Sequence, residues 1–293
     1  MAIGGAEDKL GSRMVLSELV ARAGGRGAVI AVFPTASQVP GELGDTYTAI
    51  FRSLGAAVHV VQIDTRADGE DPAHLELLSH VTAIFFTGGA QGRIVTLLGG
   101  TPLATAIRRA HRRGVLVAGT SAGASVVCEH MIAQGKTGYA PRRESVTLAP
   151  GFGLTKRLII DQHFAQRHRI GRLFAAVALN PYLIGVGIDE DTAITLDAHD
   201  HLRVLGRGTV TVIDGAKIVY TDIHETPGAR PAALLGLQVH VLTSGCGFDV
   251  HPRRPVWPPT PVPVADAVAA AAPGARAQAA RASTLPSERG ATK

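Results

Sequence analysis

The pentapeptide Gly119-Thr120-Ser121-Ala122-Gly123 closes an apolar run, VLVAG at 115–119, and opens a stretch of small residues. It matches G-x-S-x-G, in which small neighbours permit a sharp strand-to-helix turn that thrusts the serine Oγ out of the backbone. Such a turn suits attack on an acyl carbon, and the N–H groups opening the following helix would support the developing oxyanion. A glycine-rich turn that merely packs closely or binds phosphate is the plainer alternative.

A serine hydroxyl needs a base, and the base needs an orienting partner. His163 is the best-placed histidine because it falls just past an apolar run in IIDQHF, whereas His199, His201, His224 and His251 fall in hairpins, loops or the C-terminal extension; His168 is a weaker rival. For the orienting acid the residues alone leave Asp161, Asp189, Glu190 and Asp191 open, with GIDED at 187–191 the favoured source. The order serine, histidine, acid departs from the serine, acid, histidine order of α/β-hydrolases and argues against that fold. A second glycine-rich loop, Thr87-Gly88-Gly89-Ala90-Gln91, follows another apolar run, and the N–H groups of Gly89 and Ala122 together would make an oxyanion hole.

These residues must be brought to one edge by a scaffold. Strands are predicted at 28–33, 57–63, 83–86, 115–119, 158–161 and 183–188, each short and apolar as in a buried parallel sheet. Between them helices are predicted at 12–22, with Ser12 as N-cap, at 41–54, at 72–80 and at 101–113, with Thr101 as cap and Pro102 at the first position. The alternation implies a doubly wound, mostly parallel α/β sheet flanked by helices, to which the alternating segment AITLDAHDHLRVLGRGTVTVID adds antiparallel hairpin strands. Ligands of such sheets bind at the carboxyl ends of the strands, where TGGAQGR, TSAGAS, QHFAQRHR and DEDTA all fall.

The 293 residues carry a net charge of +5, but six basic residues against two acidic lie beyond residue 250, so the body carries only +1. Nucleic-acid binding is therefore not expected. The two cysteines make no disulfide framework and no metal-ligand spacing, and no apolar run approaches a membrane span. Without a secretory pattern at the N-terminus, a cytoplasmic location is the expectation. The domain is expected over 1–250, with the Pro- and Ala-rich segment 251–293 a disordered tail.

The blocks GGAEDK at 4–9, FTGGAQGR at 86–93, GTSAGAS at 119–125, LAPGFGL at 148–154, DQHFAQRHRIGRL at 161–173 and GIDEDTA at 187–193 resemble the cyanophycinases over nearly the whole body. That resemblance implies a fold related to class I glutamine amidotransferases (flavodoxin-like) and a homodimer needing neither metal nor cofactor. By motif match it implies a catalytic set Ser121, His163 and Glu190, and a substrate pocket of Gln91, Asp161, Gln162, Arg167, Arg169 and Arg172. The implied reaction is hydrolysis of α-peptide bonds in cyanophycin, a polyaspartate whose side chains carry arginine, releasing β-Asp-Arg. A serine dipeptidase for small aspartyl peptides and a noncatalytic polymer-binding module are the other two readings. The resemblance also leaves the first strand short, with only Met1, Ala2 and Ile3 before GGAEDK.

Overall fold

Short apolar runs build the centre of the molecule as five parallel strands: β1 (Ala2–Ile3), β2 (Val29–Phe33), β3 (Ala57–Val60), β4 (Ala83–Phe86) and β5 (Leu116–Thr120), in the order β3-β2-β4-β5-β1. The computed structural model describes residues 1–257, of which Met1–Val256 form one compact unit. Both faces of the parallel strands are covered. Helices α1 (Met14–Arg22) and α2 (Pro40–Ser53) bury Leu16, Leu19 and Phe51 against Ile30, Val32 and Phe85 on one face. On the other, α3 (Pro72–His80), α4 (Gln91–Leu98) and α5 (Pro102–Arg112) bury Leu78, Ile94 and Ile107 with Phe33, Ile84 and Phe86. This is the doubly wound arrangement expected from the alternation of runs.

Past Ser121 come the short helix α6 (Ala122–Val126), the antiparallel hairpin of β6 (His130–Gly135) and β7 (Val146–Pro150), then β8 (Leu158–Gln162), α7 (Ile170–Leu179), β9 (Ile184–Ile188), β10 (Thr192–Leu196), β11 (His201–Gly206) and β12 (Val210–Asp214). The large sheet continues from β1 into β10, β11 and the strands Gly247–Asp249 and Arg254–Val256, all antiparallel, for nine strands in total. β8 and β9 do not join it. They pair in parallel with each other, and with β12 and Gln238–Leu242 they make a separate four-stranded sheet. An apolar run tells that a strand is buried but not which neighbour it takes, so the second sheet was invisible to periodicity.

Three local details depart from expectation. Arg13, not Ser12, precedes α1; the Asp8 carboxylate accepts the N–H groups of Leu10, Gly11 and Arg13 and the Ser12 hydroxyl, which draws Ser12 out of the capping position. Strand β1, though two residues long, is central, because β5 and β10 pair with it from either side and Ile3 is fully buried. The strand Arg254–Val256 carries the sheet six residues past the expected boundary at 250, and residues 258–293 of the expected tail lie outside the described residues.

Candidate active site

The turn after β5 is too tight for side chains on either flank: a Cβ on Gly119 would strike the Gly123 carbonyl, and one on Gly123 would strike the Phe86 carbonyl. Between them Ser121 takes φ 53° and ψ −111°, a conformation costing about 1–3 kcal/mol that persists only where the surroundings enforce it. The side chain is half-buried, and its Oγ lies 2.9 Å from His163 Nε2.

His163 leaves the end of β8 with φ 49°, which turns its ring from the small sheet toward the elbow of the large one. Its Nδ1 lies 2.6 Å from Glu190 Oε1, at the end of β9. A carboxylate can only accept, so Nδ1 carries the proton and Nε2 offers its lone pair to the serine hydroxyl. The three expected residues therefore form one hydrogen-bonded chain from three strand ends, across two sheets.

The other acids that sequence reasoning left open are engaged elsewhere. Asp189 accepts from the N–H groups of Ala165 and Thr209 and from the Thr209 hydroxyl, Asp191 accepts from Asp8 N–H, and Asp161 faces Arg169 and Arg172. His168 is exposed and meets Tyr139.

The N-terminal segment holds these pieces in register. Consecutive carbonyls of Ile3, Gly4 and Gly5 accept from Ser121 N–H at 3.0 Å, His163 N–H at 2.8 Å and Asp191 N–H at 3.0 Å. Gly5 adopts φ +96°, and a Cβ there would overlap the His163 ring. Sequence reasoning assigned GGAEDK no physical role; the Gly-Gly pair directly after a strand was the available signal.

Burial pushes the His163 imidazole below its ordinary 6.5, against a hydrogen bond and charge from Glu190 that push it up, with Arg167 and Arg169 adding to the downward side. The ring is thus neutral at neutral pH, as a base requires. The acid limb of kcat/KM should accordingly have its midpoint below 6.5. Because Glu190 is the raising influence, Glu190→Gln should move that midpoint to still lower pH while lowering kcat by about 10²-fold or more. A shift to higher pH in that variant would exclude Glu190 as the partner that favours the imidazolium.

The Gly88-Gly89 turn borders the serine: a Cβ on Gly88 would lie 3.9 Å from Ser121 Oγ. Among the described residues no protein acceptor takes the N–H of Gly89 or of Ala122, so both remain available. Gln91 donates through Nε2 to the carbonyls of Ile132 and Ala133, tying α4 to β6 and leaving Oε1 as an acceptor.

The three arginines occupy unlike environments. Arg172 grips the Asp161 carboxylate in a two-pronged contact, with Nε 2.6 Å from Oδ2 and Nη2 on Oδ1. Arg169 donates to Gln162 O and Oε1 and approaches Asp161 at 3.4 Å. Asp161, Gln162, Arg169 and Arg172 are all buried, at 1%, 4%, 9% and 5% exposure, and burial lowers the Arg169 guanidinium to about 10, which leaves it charged at neutral pH. Arg167 is exposed, in the turn that follows His163.

No cluster of three His, Cys, Asp or Glu side chains disposed to hold a metal occurs among the described residues. No helix among them is long and apolar enough to cross a membrane.

Residues 1–204 match peptidase family S51. The chain is 40% identical over 258 residues to the cyanophycinase of Geminocystis herdmanii, covering 87% of this chain and 95% of the relative. It is 43% identical over 256 residues to the cyanophycinase of Synechococcus elongatus (87% and 80%), and 40% identical over 255 residues to that of Trichormus variabilis (86% and 86%). Among solved structures, a peptidase from an acI-B1 actinobacterium superposes with a TM-score of 0.62 at 24% identity, over 85% of this chain and 95% of that one, which shows the shared mixed α/β fold. With this fold and a family match over most of its length, the chain belongs to peptidase family S51 and is a serine-type peptidase.

Proposed function

We propose that this chain hydrolyses cyanophycin, cleaving the α-peptide bonds of its polyaspartate backbone and releasing β-Asp-Arg. The observation that carries the reading is the hydrogen-bonded chain Ser121, His163, Glu190 in a molecule 40–43% identical to proteins named cyanophycinase. His163 Nε2 takes the Ser121 proton as Oγ adds to the backbone carbonyl, and the N–H groups of Gly89 and Ala122 receive the oxyanion. The imidazolium, steadied by Glu190, gives its proton to the departing amine. Water, deprotonated by the same ring, then releases the acyl group from Ser121. The reaction calls for neither metal nor cofactor.

Each side arm of the polymer ends in a carboxylate and a guanidinium. Arg167, exposed beside His163, supplies a cation for the carboxylate, and Gln91 Oε1 supplies an acceptor for a guanidinium N–H. In this reading Asp161, Arg169 and Arg172 serve the pocket from behind, by fixing Gln162 and the turn that bears Arg167. The protein is further taken to be cytoplasmic and to work as a homodimer.

The test is direct. Purified protein should clear a cyanophycin suspension and release β-Asp-Arg, identified by mass spectrometry. Cleavage of aspartyl dipeptides with the polymer left intact would instead point to a small-peptide hydrolase. Arg167→Ala should raise KM about tenfold, the worth of a charge-assisted contact, with kcat within about threefold. An unchanged KM would remove Arg167 from the pocket.

A further inference from the structure

The carboxylate of Glu7 is buried beside the elbow and takes no part in the mechanism. Glu7, two residues past Gly5, has a fully buried side chain, and burying a carboxylate is costly unless its oxygens are met. Here they are. Oε2 accepts from the Thr120 hydroxyl at 2.6 Å; Oε1 accepts from the Tyr47 phenol and lies 3.4 Å from Lys9 Nζ. The Lys9 ammonium also sits over the Tyr47 ring, 5.5 Å from its centroid.

Filling the core does not require this set of polar groups. Tyr47 packs among Phe51 and Phe85, with ring centroids 5.9 and 4.7 Å away, in surroundings that would accept a phenylalanine. What the carboxylate does, and an apolar side chain could not do, is hold the hydroxyl of the residue immediately before Ser121. The N–H of the Thr120–Ser121 peptide is held by Ile3 O, and the Thr120 side chain is held by Glu7. Both tethers come from the segment that also holds His163 through Gly4 O. A strained φ at Ser121 needs such enforcement on the residues around it.

We propose that Glu7 is a positioning residue, which acts through the Thr120 hydroxyl to hold the serine elbow in line with His163. The inference rests on Ser121 being the nucleophile. Burial and the Glu7 charge push the Tyr47 phenol well above its ordinary value, so it stays a neutral donor and does not switch the network.

The experiment compares Thr120→Val, Thr120→Ser and Glu7→Gln. The readouts are the rate of covalent capture of Ser121 by diisopropyl fluorophosphate, kcat and KM on a soluble three-unit fragment of the arginine-bearing polyaspartate, and Tm. Thr120→Val should slow both capture and kcat by about tenfold or more, with KM within about twofold, because small displacements of a reacting group are costly in rate. Thr120→Ser, which restores the hydroxyl, should lie within about threefold of the parent, and Glu7→Gln should fall between the two.

Parent-like capture and kcat in Thr120→Val would overturn the proposal, as would a serine variant as slow as the valine one, or a change confined to KM. If Thr120→Val does not fold, Glu7→Gln decides: parent-like rates overturn the role and slowed rates at unchanged KM support it. Ser121→Ala, run alongside, separates the two levels. Full turnover there would remove the nucleophile assignment itself, whereas a dead Ser121→Ala beside a parent-like Thr120→Val would remove only the role of Glu7.

Discussion

Ser121→Ala is expected to lower kcat by about 10⁴-fold or more while leaving the protein folded and able to bind polymer. The size of the loss follows from the hydrogen-bonded chain: without Oγ, His163 has no proton to take, and Glu190 has nothing to orient it for. Residual catalysis would come from the N–H groups of Gly89 and Ala122 acting on bound substrate. The fold should survive because, among the described residues, Oγ bonds only to the His163 ring, and the turn itself is enforced by Gly119, Gly123 and the Ile3 carbonyl. A loss of only a few-fold would mean that another group performs the attack.

The second large effect concerns stability. Asp161→Ala should leave two guanidinium groups, Arg169 and Arg172, in an interior where neither is more than 9% exposed, with no counter-charge. Breaking a buried ion pair from one side costs about 3–5 kcal/mol. For a domain of this size each kcal/mol is worth about 2–4 °C, so Tm should fall by about 10 °C. Activity should fall as well, since Arg169 would lose part of the set that aligns it on Gln162 O and Oε1. Arg167→Ala, in an exposed turn a few residues away, should leave Tm within about 1 °C. Equal small shifts in the two variants would show that the Asp161 cluster is not the keystone its burial suggests.

Much of this was readable in the chain. The elbow declared itself through Gly119 and Gly123, whose Cβ positions are filled by backbone, and local sterics of that kind are written into a pentapeptide. Thr101 and Pro102 marked the start of α5 because a cap and a first-turn proline act within one turn of chain; the Thr101 hydroxyl does accept from Ala104 N–H. Partner choice was less legible. Residue types favoured GIDED at 187–191 as the source of the orienting acid but could not choose among Asp189, Glu190 and Asp191, nor set Asp161 aside. Only the pairing of β8 with β9 in a second sheet sends Glu190 to His163 and Asp161 inward to the arginines.

The arginines carry the same lesson. Three cations within six residues look alike as a string, yet the chain turns between Arg167 and Arg169, so one faces solvent and two face a carboxylate. The role of Ile3, Gly4 and Gly5 was hidden for a related reason. It rests on backbone carbonyls, which every residue has, and on contacts spanning more than 100 residues to Ser121 and His163.

The most direct test of the central claim is to treat the folded protein with diisopropyl fluorophosphate and map the adduct by peptide mass spectrometry while following β-Asp-Arg release from cyanophycin. The expected result is a single adduct on Ser121, with polymer cleavage falling in proportion to its occupancy. Full cleavage by protein quantitatively modified at Ser121, or complete inhibition with Ser121 unmodified, would contradict the account.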